Sequence, residues 1–109
     1  FEDDFRVLLH EISHVVQFWQ DPVAFVREYA TKSGRARLEA EAERGAMEGE
    51  FILTGAFTTR LDLTEHGYGF NSGYSALTGD ILEQHATSLA SGIISTPVGQ
   101  EIQRLFAAA

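Results

Sequence analysis

The chain has no cysteine. Disulfides are therefore excluded, and any metal site must be built from histidine and carboxylate. Basic residues are scarce: 8 Lys and Arg stand against 16 Asp and Glu, for a formal net charge of −8. They form no cluster, which argues against nucleic acid as a partner, because phosphates are bound by grouped Lys and Arg. The acidic balance mildly favours basic peptides, although a solvated charged face explains it equally well. No apolar run reaches the roughly 20 residues needed to span a bilayer, and no stretch has the layout of a signal peptide. There is no internal repeat, and low complexity is confined to Ala107–Ala109. The chain starts at Phe1 rather than Met, which reads as a processed product or a piece of a longer protein. Its 109 residues, 44% of them hydrophobic, make one domain the default expectation, with a small core.

Periodicity points to a mainly α fold of about five helices. Asp3 or Asp4 can cap a first helix running to about Gln20. Phe5, Leu8, Ile12, Val15 and Trp19 recur at three- and four-residue spacing and are expected to face the core, with Phe18 also inside. Asp21-Pro22 is a helix start, Asp as N-cap and Pro at the first position, for a second helix over about 22–31. Thr31-Lys32-Ser33-Gly34 breaks it. A third helix, over about 34–54, is rich in Ala, Glu and Arg. Its Gly45 and Gly49 weaken it by about 1 kcal/mol each relative to Ala, so close helix contact is the expected reason for them. Residues 55–79 hold five glycines and read as a long irregular loop, a length usually tied to function or mobility. A fourth helix is expected from about Asp80 to Ile93, and Thr96-Pro97 opens a fifth.

The chemistry lies in the first helix. His10-Glu11-Ile12-Ser13-His14 is an H-E-x-x-H run inside an apolar stretch. On a helix, residues four apart share one face about one turn apart, so His10 and His14 can direct their rings at one metal ion. Glu11 stands close enough to hold a water bound to that metal. This spacing binds Zn²⁺ through two nitrogens and provides a general base for hydrolysis.

A catalytic zinc usually takes three protein ligands and leaves the fourth position to water. The segment Arg37-Leu38-Glu39-Ala40-Glu41-Ala42-Glu43-Arg44 offers three carboxylates. Glu39 and Glu43 share a helix face, while Glu41 points elsewhere. One of the pair can bind zinc, and the other can accept a hydrogen bond from the far nitrogen of a zinc histidine. The alternative is a solvated acidic face with local pairs such as Glu39–Arg35.

The run H-E-I-S-H-V-V-Q followed by L-E-A-E-A-E-R resembles the gluzincin metallopeptidases. It is most similar to the small toxin- and contractile-injection-associated metallopeptidase domains, over about residues 5–50. The resemblance implies a zincin-like helical domain with Glu39 as third ligand and Glu43 at a supporting position usually held by Asp. Gln17 matches the family position after the second histidine and would orient a ligand or a loop. Glu is one methylene longer than Asp; were the bond to His10 lost, Glu41 would be the ligand instead. Members of the clan carry a β-sheet before the motif helix. Only nine residues precede His10 here, so that sheet is expected to be absent or truncated.

Peptide hydrolysis by zinc develops an oxyanion, which a His or Tyr donor would stabilise. His66 and Tyr68, in the glycine-rich segment, are the candidates. His85 lies on an apolar helix stripe of Ile81, Leu82, Leu89 and Ile93, and a hydrogen-bonded core histidine is the expected reading. The expected function is zinc-dependent hydrolysis of a peptide or protein substrate, with Glu11 as general base. The competing expectation is a non-catalytic zincin-like domain within a larger assembly, such as a phage or injection apparatus. A fourth protein ligand to the metal would mark the second.

Overall fold

In the computed structural model, residues 3–57 and 72–108 are described. They form α1 (Asp3–Gln20), α2 (Pro22–Tyr29), α3 (Lys32–Thr54), α4 (Ser72–Ala90) and α5 (Pro97–Ala108), with no strand among the described residues. The mainly α class expected from the sequence is the one the chain adopts. None of these helices is long and apolar enough to cross a membrane.

The breaks between helices follow local chemistry. Asp21 is extended and its side chain accepts a hydrogen bond from the Ala24 N–H at 3.1 Å, with Pro22 opening α2. Thr31 does the same for α3, taking the Gly34 N–H at 3.0 Å. Thr31-Lys32-Ser33-Gly34 is therefore a helix start as well as a break. Gly55, at φ 80°, closes α3 in the left-handed conformation that glycine adopts without strain. Thr96 Oγ1 accepts from the Gly99 N–H at 3.0 Å and caps α5.

The third helix is the centre of the molecule and touches every other helix. Its inward faces are small residues and acids rather than large apolar groups. Ala36, Ala40, Ala42, Ala46 and Met47 are fully buried, and so are Glu39, Glu43 and Glu48. Small side chains let neighbouring helices come close. A Cβ on Gly45 would stand 2.3 Å from Ser13 Oγ of α1, and one on Gly49 would stand 2.7 Å from a Leu9 methyl. The close helix contact expected at Gly45 and Gly49 is present. On the other side of α3, Met47, Leu82 and Leu89 form the apolar core, flanked by Phe51, Phe57, Ala86 and Ile94. Full burial of each such side chain contributes about 1.5–3 kcal/mol.

Two expectations need correction. The stripe of Phe5, Leu8, Ile12, Val15 and Trp19 does not face the core: all five are exposed, Trp19 at 74%, and Phe18 is exposed with them. The buried face of α1 is instead Arg6, Leu9, His10 and Ser13. Arg6 and His10 on that face find charged partners on α3 and Ser13 donates to the Leu9 carbonyl, so burial leaves them satisfied and the apolar stripe is turned outward. The fourth helix also starts earlier than Asp80, at Ser72, and ends at Ala90 rather than Ile93. The helix packs on α3 through Leu82 and Leu89, and such tertiary packing outweighs the weak helix preference of Gly and Ser. Gly92, at φ 84°, stops the helix before Ile93.

Candidate metal centre

Two adjacent turns of α1 and two of α3 meet at the site. His10 and His14 lie one turn apart on α1, and their rings meet edge to face with centroids 4.9 Å apart. Opposite them, Glu39 on α3 is fully buried. Its Oε2 lies 2.9 Å from His10 Nε2, and its Oε1 lies 3.0 Å from His14 Nε2. One ligand atom from each of these three residues falls within 4.8 Å of the other two.

The far nitrogens of both rings are held by acceptors. His10 Nδ1 lies 3.1 Å from Glu43 Oε2, and His14 Nδ1 lies 2.8 Å from Gln17 Oε1. The Gln17 amide in turn donates to the Leu38 carbonyl at 3.0 Å, which fixes its oxygen toward the ring. With the amide so oriented, His14 Nδ1 must be the donor. In the neutral ring its Nε2 then carries a lone pair. That Nε2 is buried and has no hydrogen-bond geometry to any acceptor among the described residues, although Glu39 Oε1 is 3.0 Å away. His14 Nε2, His10 Nε2 and the buried Glu39 carboxylate thus face one another, an arrangement open to a cation. A proton or a metal ion satisfies it. Two imidazoles and one carboxylate form a nitrogen–oxygen donor set that suits zinc.

Glu43 has a second partner. The Arg6 guanidinium, 1% exposed, contacts Glu43 Oε1 and lies 3.3 Å from Glu50 Oε1. Arg6, Glu43 and His10 form a buried chain leading to the site. The bond between Glu43 and His10 is retained despite the extra methylene of Glu relative to Asp. Glu41 is directed away and pairs with Arg44 at 2.6 Å. Glu11 is exposed on the turn between the two histidines. His66 and Tyr68 lie outside the described residues. The local pair Glu39–Arg35 does not form: Glu39 turns to the histidines and Arg35 lies over the Tyr29 ring.

The charges shift as this geometry requires. Burial pulls the His10 imidazolium down, but its hydrogen bonds and charge interactions with Glu39 and Glu43 outweigh burial and raise its pKa to about 9. Burial pushes the Glu39 carboxyl up, and the contacts with His10 and His14 outweigh it, bringing the pKa down to about 2. Without a metal, His10 therefore supplies the cation.

Three residues of the site were not apparent beforehand. Tyr29, on the last turn of α2, donates its hydroxyl to Glu39 Oε1 at 3.0 Å. Arg6 sits one turn before His10 on the same face of α1, a spacing that could have flagged it. Glu50 likewise shares the face of Glu39 and Glu43 on α3.

The buried His85 belongs to a different cluster on the opposite side of α3. Its Nε2 lies 3.1 Å from Glu48 Oε2. Glu48 also accepts hydrogen bonds from the backbone and hydroxyls of Ser95 and Thr96, at 2.7–3.2 Å. Burial raises the Glu48 pKa, and His85 first, then the Thr96 and Ser95 donors, outweigh burial and bring it to about 2. This carboxylate anchors the start of α5 to α3. Comparisons with models of known protein families, with curated proteins and with solved structures found no match.

Proposed function

We propose that the protein is a zinc-dependent peptide hydrolase of the gluzincin-like kind, in which His10, His14 and Glu39 hold the metal. The observation that carries this reading is the orientation of the two rings. Each Nδ1 is tied to an acceptor and each Nε2 is turned toward a buried carboxylate. A bound zinc ion would supply Lewis acidity and lower the pKa of its water toward about 7. Glu11, exposed between the histidines, accepts the proton of the attacking water and delivers it to the leaving amine. Glu43 and Gln17 hold the rings in the ligating tautomer, and Arg6 pairs with Glu43 from the other side. The substrate is a peptide or protein, with His66 or Tyr68 as the donor to the oxyanion.

One observation favours a second reading, a non-catalytic zincin-like part of a larger assembly. The apolar stripe of α1 is exposed along its length, and contiguous exposed apolar surface marks contact with another chain. Zinc-loaded protein incubated with a mixed peptide library, read by mass spectrometry, separates the two. Hydrolysis by the wild type, lost in Glu11→Gln with zinc retained, supports the enzyme. Cleavage by Glu11→Gln at the wild-type rate would sink the role given to Glu11. No cleavage by the zinc-loaded wild type would favour the scaffold.

A further inference from the structure

Glu11 stands in the middle of an exposed apolar face. Helix positions three, four and seven residues away share its side of α1. They are held by Val7, Leu8, Val15 and Phe18, with Ile12 beside them and Trp19 extending the surface, and all six are exposed. Asp4, two turns before Glu11, is the other charged side chain described on this side. The face carries no cation. Arg6 is buried on the opposite side of α1 against Glu43 and Glu50, and both histidines turn to Glu39. Arg27 lines the adjoining apolar depression on α2, which Phe18 also lines, and makes no ion pair with Glu11.

Covering an apolar surface of this extent is favourable. A purely apolar occupant would bury the Glu11 carboxylate without a partner, which opposes docking. The occupant must therefore bring a cation to Glu11. A second copy does not bring one from this face: a two-fold contact through α1 sets like surfaces against each other, and so carboxylates against carboxylates, between chains of net charge −8. Anionic lipid is repelled for the same reason. We propose that the outward face of α1 docks an amphipathic segment of another protein, one with an apolar stripe and a Lys or Arg placed to meet Glu11. The apolar groups supply the affinity, and the charge pair fixes the register and rejects acidic segments. A segment docked in this way covers Glu11. The docking does not depend on the assignment of the metal ligands.

Trp19 is the only tryptophan of the chain and lies on this surface, so its fluorescence reports docking. The probes are synthetic helices added to the full chain. Two share one leucine stripe and carry either lysine or glutamate on the polar face; a third has the leucine–lysine composition in scrambled order. The lysine helix is expected to shift the Trp19 emission to the blue in a saturable way. The glutamate and scrambled peptides should bind at least about tenfold more weakly. Val15→Lys puts a cation at an exposed position inside the face and should weaken the lysine helix by at least about tenfold. Gln84→Lys makes the same charge change at an exposed position of α4, which packs on α3 and does not touch α1, and should leave binding within about twofold. Absence of a shift with the lysine helix would overturn the proposal. So would equal affinity for the glutamate or scrambled peptide, or equal weakening by the two lysine variants. A blue shift on concentrating the protein alone, with a dimer seen in sedimentation, would give the surface to a second copy and overturn it as well.

Discussion

If His10, His14 and Glu39 hold zinc as proposed, a proton and the metal ion compete for the same nitrogen, and the competition sets how binding depends on pH. In the metal-free protein His10 titrates near pH 9, because Glu39 and Glu43 stabilise the imidazolium by more than burial destabilises it. Coordination requires Nε2 without its proton. At pH 7 the gap of about two units corresponds to roughly 2.7 kcal/mol, at 1.36 kcal/mol per unit, spent on removing that proton. Zinc should therefore be held about 100-fold more weakly at pH 7 than on the plateau well above pH 9. The apparent affinity should climb about tenfold per pH unit between pH 6.5 and 9 and then level off. About one proton should leave per zinc bound at pH 7. Competition with a chelator of known pH dependence gives the slope, and calorimetry in two buffers of different ionisation enthalpy gives the proton count. A flat affinity over this range, or binding without proton release, would refute the assignment of the proton to His10.

Three other perturbations probe the frame around the site. Glu43→Ala leaves the buried Arg6 guanidinium without its main carboxylate and His10 Nδ1 without its acceptor, and should lower stability by about 3–5 kcal/mol; a melting temperature within a degree of wild type would contradict the buried network. Gly45→Ala places a methyl 2.3 Å from Ser13 Oγ and should destabilise by about 1–3 kcal/mol while weakening zinc binding, since α1 must move off α3. Stability of the metal-free protein should have a plateau. The His10 pKa is raised from 6.5 to about 9, so its contribution is complete below pH 6.5 and is lost as pH rises through 9. The carboxyls of Glu39 and Glu48 are lowered from 4.5 to about 2, so theirs are complete above pH 4.5 and are lost as pH falls through 2. Denaturant midpoints should then be highest between about pH 4.5 and 6.5, and a midpoint that rises from pH 6.5 to 9 would be the wrong sign.

Much of the site was legible because its chemistry is local. The i, i+4 spacing of His10 and His14 and the shared face of Glu39 and Glu43 are properties of single helices, and they need only two helices to meet. The starts at Asp21-Pro22 and Thr96-Pro97 were legible for the same reason. The outward turn of the α1 stripe was not. Apolar periodicity identifies a helix face but not which face is buried, and here a charged network on α3 outweighs it. The third helix misleads in the same way: its mean hydropathy suggests a solvated helix, yet its acids are buried because Arg6, His10, His14 and His85 come to them from other elements. Tyr29 could not be placed by spacing, since its role depends on the angle at which α2 meets α3.

The most direct test is the zinc content of purified protein by elemental analysis, with His14→Ala and Glu39→Ala alongside. The account predicts one zinc per chain in the wild type and loss of it in both variants. A wild type that takes up no zinc even after reconstitution, or variants that retain it in full, would contradict the site.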